Sequence, residues 1–421
     1  MTAIDILILS NGPGEITTWV RPVVKALRCK DSFPYGDRLR ISVVLSPCPH
    51  GTGKEAEIAL SYPEVDRVQS AEHFFPFLLW GKTADNWEWE NKGIVIFLGG
   101  DQFFPVAIGK RLGYSTVVYA EWDARWYSWI DDFAVRNQGI IEKVPLKYRH
   151  KFTVVGDLMA DVATFATEVT TSDLSLIGLL PGSKAAKLAQ GVPLCLAIAS
   201  EINKKRPDIN FIIPVAPTLD LPTLAKFASL DRNPILAKMG GVSAELIYKE
   251  SEGEKRVFLQ TCEGVEIELI TRFPAYDILS QCCLCFTTVG ANTAELGSLA
   301  VPAIVLIPTQ QLDAMRSWDG IGGILANLPG IGSVFAKLIN WLVIKQGRLF
   351  AWPNIWANEE ILPELVGNLQ ADNISQIAIG FLDNPGKLKL MRERLLGIRG
   401  EPGAAIRIVA IVYKRLIKTL Y

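Results

Sequence analysis

Apolar runs that alternate with helical segments restrict the fold of this chain more than any other feature. Strands that alternate with helices in this way form parallel sheets with helices on both faces. The pattern predicts such a sheet for the first part of the chain. The alternating predicted strands and helices lie at residues 4–9, 17–27, 39–45, 55–60, 93–98, 105–112 and 115–119.

A second series of strands and helices follows a strand at residues 152–156 and a polar linker at residues 167–173. Together the two series predict an α/β protein with two Rossmann-like domains, at residues 1–166 and 174–385, followed by a helical segment at residues 386–421. The two domains of a periplasmic binding protein would give a similar alternation of strands and helices. The predicted elements of the second series are residues 176–180, 191–205, 211–215, 221–230, 257–259, 266–270, 275–280, 283–287, 375–382, 387–397 and 404–420.

Composition excludes several classes of protein. With 49% hydrophobic and 21% charged residues, the 421-residue chain is globular, and its net charge of −1 argues against a general nucleic-acid binder. The first apolar run is short and has no basic leader, so it is predicted to be a strand and not a signal peptide, which disfavours the periplasmic binding proteins. Seven cysteines, mostly in apolar runs, indicate a reducing compartment. No histidine accompanies the cysteines at residues 282–285, so no metal site is predicted.

Polar and glycine-rich sequences follow the predicted strands of the first domain. Because ligands of open α/β sheets bind beyond the carboxyl ends of the strands, these sequences predict a pocket. The candidate residues are Asn11, Gly12, Gly14, Glu15, Asp101 and Gln102.

Residues 288–295 read as a strand end, a glycine turn and a helix start. Gly290 permits a tight turn, Asn292 or Thr293 can cap the helix, and the first helical N–H groups can bind an anion. Glu295 lies one turn into the helix, where its carboxylate could accept hydrogen bonds from sugar or ribose hydroxyls. Two interpretations fit the stretch equally well. One is a nucleotide-sugar site, and the other is a capped core helix in which Glu295 complements the helix dipole.

Residues 318–344 are rich in glycine, apolar residues and tryptophan, and lysines flank their helical part. Such a helix can lie in a membrane interface. The alternative is a helix buried against the sheet.

Several motifs resemble one family in order and spacing. They are the loop at residues 11–15, Leu-Leu-Pro-Gly-Ser-Lys at residues 179–184, the stretch 290–295 followed by Val301-Pro302, and the Pro353-Asn354 motif. With them the chain resembles the lipid-A-disaccharide synthases over most of its length. These are inverting GT-B enzymes that join a UDP-linked acylated glucosamine to an acylated glucosamine phosphate and release UDP.

The resemblance implies a GT-B fold whose two domains face a cleft, and it implies roles for individual residues. Asp101 falls at the position of the general base that takes the proton of the acceptor hydroxyl, and the alternative is a helix N-cap for the helix predicted at residues 103–112. The loop residues near it lie on the acceptor side. The residues implied for donor binding are Gly182, Ser183, Lys184, Gly290, Thr293, Glu295 and Asn354.

The resemblance also implies the partners of the chain. A UDP-sugar is a co-substrate, no further cofactor is needed, and the acceptor is a lipid or another amphipathic molecule. A cytoplasmic protein, peripheral on the inner face of a membrane, would fit these substrates. Residues 386–421 would pack on the N-terminal domain or exchange between the protomers of a homodimer.

Four residues depart from the family pattern. The family has arginine at Lys184 and at Glu359, glutamate at Lys187, and histidine at Asp157. These changes predict a diverged relative with a UDP-like donor site. Two alternatives stay open: a GT-B protein that binds or assembles without turnover, and a UDP-N-acetylglucosamine 2-epimerase-like enzyme.

Overall fold

The computed structural model describes residues 4–30, 38–48, 51, 53–165, 175–251, 254–308 and 349–420. It divides the chain into two compact units. Unit 1 comprises Met1–Thr164 and Gly400–Tyr421, and unit 2 comprises Phe165–Arg399. The predicted linker at residues 167–173 and the apolar stretch at residues 318–344 lie outside the described residues.

Unit 1 is built on a seven-stranded sheet of order β3-β2-β1-β4-β5-β6-β7, and every neighbouring pair of strands is parallel. The central strand β1 is buried at every position, as expected when helices cover both faces of a sheet. The strands are β1 Ile4–Ser10, β2 Leu39–Leu45, β3 Arg67–Gln69, β4 Gly93–Phe97, β5 Ser115–Ala120, β6 Asp132–Val135 and β7 Phe152–Val154.

The last helix of the chain, Ala404–Leu420, completes the core of unit 1. Its apolar side chains Ile408, Val412 and Leu416 are buried in one cluster with residues of β1 and β4 and of the helix Arg21–Arg28. The other helical segments of the unit are Pro13–Glu15, the π-helical Ile16–Val20, Glu55–Leu60, Ala71–His73, Phe74–Trp80, Phe103–Leu112, Gln138–Glu142, Leu146–Lys151 and Leu158–Phe165.

Unit 2 contains an eight-stranded sheet of order β10-β11-β12-β9-β8-β13-β14-β15. The six strands from β12 to β15 in this order are parallel, whereas β10, β11 and β12 pair antiparallel. The two sheets confirm the predicted α/β fold with two Rossmann-like domains. The strands are β8 Leu176–Leu180, β9 Asn210–Pro214, β10 Ala244–Ser251, β11 Glu254–Thr261, β12 Glu266–Ile270, β13 Leu284–Thr288, β14 Ala303–Pro308 and β15 Glu364–Gly367.

The antiparallel edge of this sheet differs from the prediction. The sequence predicts a three-residue strand at residues 257–259, but β11 has eight residues and pairs with β10, which is not predicted at all. Both strands carry charged side chains that pair across the sheet: Lys249 Nζ lies 2.5 Å from Glu266 Oε2, and Arg256 forms an ion pair with Glu268. These charges interrupt the apolar runs on which strand prediction depends.

The helices of unit 2 follow the predicted order. The helix Ala185–Lys205 begins six residues before the predicted start at residue 191, because Gly191 and Pro193 resemble a helix start but lie inside the helix. A Cβ at Gly191 would lie 2.5 Å from the Pro181 carbonyl oxygen, so close packing accounts for the glycine. The remaining helices are Leu221–Phe227, Leu236–Met239, Tyr276–Leu279, Ala291–Ser298, Trp352–Ala357, Ala371–Leu382 and Pro385–Ile398.

By length and composition, the helix Ala185–Lys205 could cross a membrane, and within the described parts of the chain it is the one helix that meets this test. Most of its apolar stretch is buried inside unit 2, as in the core helix of many folded domains.

Adjacent parallel strands place their following loops side by side. In unit 2, β8 pairs with β13 so that Leu180 lies opposite Thr287, and both strands lead into glycine turns. In unit 1, β4 lies between β1 and β5, which brings together the loops that begin at Asn11, Leu98 and Glu121. The topology thus gathers the predicted site residues that follow these strands at one end of each sheet.

Candidate functional site

The first glycine turn of unit 2 follows β8. Gly182 has a φ of +101°, which side-chain-bearing residues rarely adopt, and a Cβ there would lie 3.0 Å from Lys187 Cβ. Ser183 and Lys184 are exposed, and Lys184 is the N-cap of the helix Ala185–Lys205 without a capping side-chain hydrogen bond. The turn therefore leaves the first N–H groups of a long helix for an anion.

The second glycine turn follows β13, next to the first. Gly290, with a φ of +147°, is the N-cap of the helix Ala291–Ser298, and no side chain caps that helix. The expectation that Asn292 or Thr293 caps it is wrong. Thr293 is fully buried. Its hydroxyl donates a hydrogen bond to the Gly290 carbonyl at 2.8 Å and accepts one from the Trp352 N–H at 3.2 Å. Thr293 thus fixes the turn, while the N-terminus of the helix stays uncapped by side chains.

Lys187 reaches from one glycine turn to the other. Its Nζ donates a hydrogen bond to the Val289 carbonyl and lies 3.2 Å from the position that a Cβ of Gly290 would take. Lys187 is an exposed residue, and partial loss of water around its ammonium group, followed by the charge of Lys184, lowers its pKa. The sequence marks Lys187 only as a departure from the family pattern, and the structure places it between the predicted donor turns.

Glu295 lies where the sequence predicts it, one turn into the helix Ala291–Ser298. Its Oε1 accepts a hydrogen bond from the Tyr276 hydroxyl at 3.4 Å. Burial raises the pKa of Glu295 to about 7, and the Tyr276 hydrogen bond partly opposes that shift. The carboxyl group of Glu295 therefore takes up a proton more readily than that of an exposed glutamate.

Asn354 occupies a fully buried position in the helix Trp352–Ala357. Its amide nitrogen donates to the Leu362 carbonyl and to Glu364 Oε1, both at 2.8 Å. Its amide oxygen accepts from the N–H groups of Ile361 and Leu362, also at 2.8 Å. Two donors and two acceptors exhaust an amide, so Asn354 holds the chain in place and offers no side-chain group to a donor.

Glu359 stands where the family pattern has an arginine. Its carboxylate forms an ion pair within unit 2. Its Oε1 lies 2.8 Å from Arg394 Nη2 in the helix Pro385–Ile398. The negative charge of Glu359 thus has a cation of unit 2 as its local partner.

In unit 1, Asp101 follows β4 after Gly99 and Gly100, which both have positive φ. The side chain is about half exposed. Its Oδ1 accepts from the Phe103 N–H at 2.8 Å, and its Oδ2 lies 3.9 Å from Arg125 Nη1. The helix-start hydrogen bond that the sequence allows is thus present, and it uses only one of the two carboxylate oxygens.

The side chain of Gln102 is hydrogen-bonded within unit 1. It is buried, its amide nitrogen donates to the Asp123 carbonyl at 2.9 Å, and its amide oxygen accepts from the Arg125 N–H at 2.8 Å. Gln102 therefore positions the loop after β5, which also holds Arg125 beside Asp101.

The loop after β1 packs against the glycines after β4. A Cβ at Gly99 would lie 2.7 Å from Asn11 Oδ1 and 3.3 Å from Glu15 Cγ, and one at Gly12 would lie 2.3 Å from Glu15 Oε2. The Gly14 carbonyl accepts a hydrogen bond from the Thr18 hydroxyl. The structure brings the predicted acceptor-side residues of this loop together with the Asp101 turn.

Sequence reasoning missed a charged cluster in unit 1. Arg136, directly after β6, lies 2.9 Å from Asp157 Oδ2, and Glu121 directly follows β5. Burial first and the Asp157 charge second raise the pKa of Glu121 to about 7, and Arg136 opposes the shift. The available signal was the position of Glu121 and Arg136, since each is a charged residue directly after a buried strand.

Comparisons with known proteins support a family relation. The lipid-A-disaccharide synthase of Geobacter sulfurreducens is 24% identical over 247 residues, 58% of this chain and 50% of that protein. The synthase of Syntrophus aciditrophicus is 24% identical over 250 residues, again 58% of this chain and 50% of that protein. The chain spans about half the length of the curated relatives it matches. No family model matches it.

Among solved structures, the fold is similar to that of a putative UDP-N-acetylglucosamine 2-epimerase from Listeria monocytogenes. The TM-score is 0.52 at 16% sequence identity, covering 98% of this chain and 97% of that one. This likeness bears on the fold alone. With the synthases similar in sequence and the glycine turns at the expected strand ends, the chain is a diverged relative of the lipid-A-disaccharide synthases.

Proposed function

We propose that the protein is an inverting glycosyltransferase that moves a hexosyl group, such as an N-acyl-glucosaminyl group, from a UDP-sugar to a lipid or other amphipathic acceptor. The observation that carries the proposal is the pair of adjacent glycine turns in unit 2, which present two helix N-termini at one sheet edge. The relatives similar in sequence are named as disaccharide synthases, and the name of the Listeria protein includes a UDP-sugar. Both names agree with a nucleotide-sugar donor.

Unit 2 would hold the donor. The N–H groups at the start of the helices Ala185–Lys205 and Ala291–Ser298 suit the diphosphate, because aligned peptide dipoles favour negative charge there. Glu295 lies one turn deeper and would accept hydrogen bonds from hydroxyls of the sugar or ribose. Tyr276 holds the Glu295 carboxyl group in position.

In unit 1, Asp101 would act as the general base. The acceptor hydroxyl oxygen forms a bond to the anomeric carbon while the bond from that carbon to the diphosphate oxygen breaks. The hydroxyl proton passes to the Asp101 carboxylate, and the electron pair leaves with UDP. The Phe103 N–H holds one carboxylate oxygen, which orients the side chain and leaves the second oxygen for the proton.

An exposed apolar surface supports an amphipathic acceptor and contact with a membrane. On the helix Phe74–Trp80, the exposed fractions of Phe75, Leu79 and Trp80 are 54%, 55% and 68%. Arg111 donates hydrogen bonds to the carbonyls at the end of this helix, including that of Leu79. Aromatic and aliphatic side chains beside a cation are typical of surfaces that lie in a lipid interface.

UDP release tests the proposed reaction. The wild-type protein, incubated with UDP-hexoses and extracted membrane lipids, should release UDP, and Asp101→Asn should lower kcat about 100-fold or more, as expected for loss of a general base. Asp85→Asn is the matched control, because Asp85 is an exposed aspartate of unit 1 outside the site. Equal rates for Asp101→Asn and the wild type would remove Asp101 as the base. UDP binding without release would instead identify a binding protein.

The fold favours one alternative reaction. The Listeria protein with a similar fold is described as a putative UDP-N-acetylglucosamine 2-epimerase, and such an enzyme would change the sugar of a UDP-sugar without an acceptor. Incubation with UDP-N-acetylglucosamine alone, followed by analysis of the intact nucleotide sugar, separates the two functions. A new UDP-sugar formed without lipid would support the epimerase, and UDP formed only with lipid would support the transferase.

A further inference from the structure

Lys187 lies over the first glycine turn. It belongs to the first turn of the helix Ala185–Lys205, and its side chain runs back across Gly182. A Cβ at Gly182 would lie 3.0 Å from Lys187 Cβ and 3.2 Å from Lys187 Cδ. The missing side chain at Gly182 is therefore what allows the lysine to cross the turn.

The same side chain reaches the second glycine turn. Its Nζ donates to the Val289 carbonyl and lies 3.2 Å from the position that a Cβ of Gly290 would occupy. One lysine can touch both turns because β8 and β13 are neighbouring parallel strands with Leu180 opposite Thr287. The first turn thus contacts the aliphatic part of the lysine, and the second turn lies beside its ammonium group.

The charge of Lys187 is placed where a cation is unfavourable on its own. Helix N-termini carry a partial positive charge, and the Lys187 ammonium group lies at the start of two helices. Lys184 adds a second positive charge next to it. Among the residues that the structure describes, no carboxylate forms an ion pair with Lys187. An anion bound between the turns would relieve this concentration of positive charge.

We infer that the Lys187 ammonium group binds the diphosphate of the donor, joining the two glycine turns around it and stabilising the UDP that leaves. The inference rests on the proposed UDP-sugar donor. The aliphatic part of the side chain already crosses Gly182, so exchange of the Val289 carbonyl for a phosphate oxygen requires only a change at the end of the chain. Lys187 is then a residue that selects for the phosphate groups of the ligand.

Calorimetric binding of UDP, UMP and uridine to the full-length protein tests this role. Lys187→Met keeps most of the unbranched side chain and removes its ammonium group. It should weaken UDP binding roughly 10- to 100-fold, as for the loss of one charge-assisted hydrogen bond, and should leave uridine binding unchanged. UMP should show a smaller loss. The control is Lys205→Met, the same change at an exposed position in the last turn of the same helix.

Lys187→Arg should retain more of the UDP affinity than Lys187→Met, because it retains the charge. Equal UDP affinity in Lys187→Met and the wild type would overturn the inference and leave the donor site standing. An equal loss of affinity for UDP and for uridine would also overturn the inference, because the lysine would then support the shape of the site and not bind the phosphate groups. Failure of the wild-type protein to bind UDP would overturn both the inference and the proposed function.

Discussion

At the scale of single residues, Asn354 shows how a predicted ligand contact can be a structural residue. Its Pro-Asn motif suits a donor site in the sequence, but all four hydrogen-bonding positions of its amide are used inside unit 2. The partners are seven to ten residues away in the chain, and a local pattern does not show which of them a buried amide will reach. Thr293 is a similar case, because its hydroxyl joins Gly290 to Trp352.

Replacement of Asn354 should therefore damage stability more than binding. Asn354→Ala leaves buried N–H and C=O groups without partners and should cost on the order of 3 kcal/mol of unfolding free energy. Urea titration of the variant measures this loss. Asn384→Ala is the control, because Asn384 makes one exposed hydrogen bond to the Gly380 carbonyl. A stable Asn354→Ala protein with weakened UDP binding would contradict the structural role.

The pKa of Glu121 predicts a pH-dependent stability. Burial raises this pKa from 4.5 to about 7, so the folded protein holds a proton that the unfolded chain has lost between these pH values. The stabilising contribution is complete below about pH 4.5 and disappears as the pH rises through about 7. Besides the Asp157 charge, Glu15 raises the pKa, whereas Arg136 and the Trp122 hydrogen bond lower it.

Glu121→Gln removes this titration while keeping a hydrogen-bond acceptor for Trp122. The variant should be more stable than the wild type at pH 8, by up to about 3 kcal/mol, and the difference should shrink toward pH 5. Denaturant titrations at both pH values measure it. A difference that is the same at pH 5 and pH 8 would show that Glu121 does not titrate in this range.

At the scale of elements, Asp161 connects two distant segments of unit 1. Its carboxylate oxygens accept hydrogen bonds from the N–H groups of Gly403, Ala404 and Ala405, at the start of the helix Ala404–Leu420. Asp161 is itself buried in the segment Leu158–Phe165. The side chain therefore supplies a helix cap from 242 residues earlier in the chain.

Asp161→Ala should destabilise unit 1 by about 2 kcal/mol or more, since a lost cap leaves buried N–H groups without partners. Asp161→Asn, which retains an acceptor oxygen, should lose less. Asp220→Ala is a useful comparison, because Asp220 caps the exposed start of the helix Leu221–Phe227. Thermal unfolding measures all three variants, and an Asp161→Ala protein no less stable than Asp220→Ala would contradict the role.

The exposed apolar face of the helix Phe74–Trp80 gives a further prediction. Replacing Phe75, Leu79 and Trp80 with serine should reduce co-flotation of the protein with anionic liposomes, because the apolar area available to the lipid falls. Leu230→Ser, at a 52% exposed leucine of unit 2, is the control. If the triple variant floats as well as the wild type, this helix does not contact lipid.

Prediction of the elements succeeded where their periodicity was strong. The buried strand β1 and the helix Ala404–Leu420 are at the expected positions. The hairpin of β10 and β11 is mostly missed because charged residues such as Lys249 and Arg256 interrupt its apolar runs, and their partners Glu266 and Glu268 lie in the next strand, β12. Edge strands of this kind have one solvated face, so their apolar signal is weaker.

At the scale of the whole molecule, the chain ends by returning to the unit in which it begins. Residues 400–421 belong to unit 1, while the preceding helix Pro385–Ile398 belongs to unit 2. The last helix buries Ile408, Val409, Val412 and Leu416 in the core of unit 1. Each such side chain contributes about 1.5–3 kcal/mol, so together they approach the total stability of a domain, about 5–15 kcal/mol.

A chain truncated after residue 399 should therefore lose the fold of unit 1 and retain that of unit 2. Hydrogen exchange would show fast exchange in β1 and β4 and protection in β8 and β13. A peptide of residues 400–421 added in trans should restore protection in unit 1. If β1 stays protected without the peptide, the last helix is not needed for the core.

The sequence alone determined the two series of strands and helices and the glycine turns at Gly182 and Gly290, because periodicity and backbone conformation are local properties. Only the tertiary structure decided which polar groups remain for a ligand. It buried the amide of Asn354 and the hydroxyl of Thr293 in internal hydrogen bonds and laid Lys187 across both turns. The physical reason is that hydrogen-bond partners and burial depend on segments that meet only when the sheet assembles.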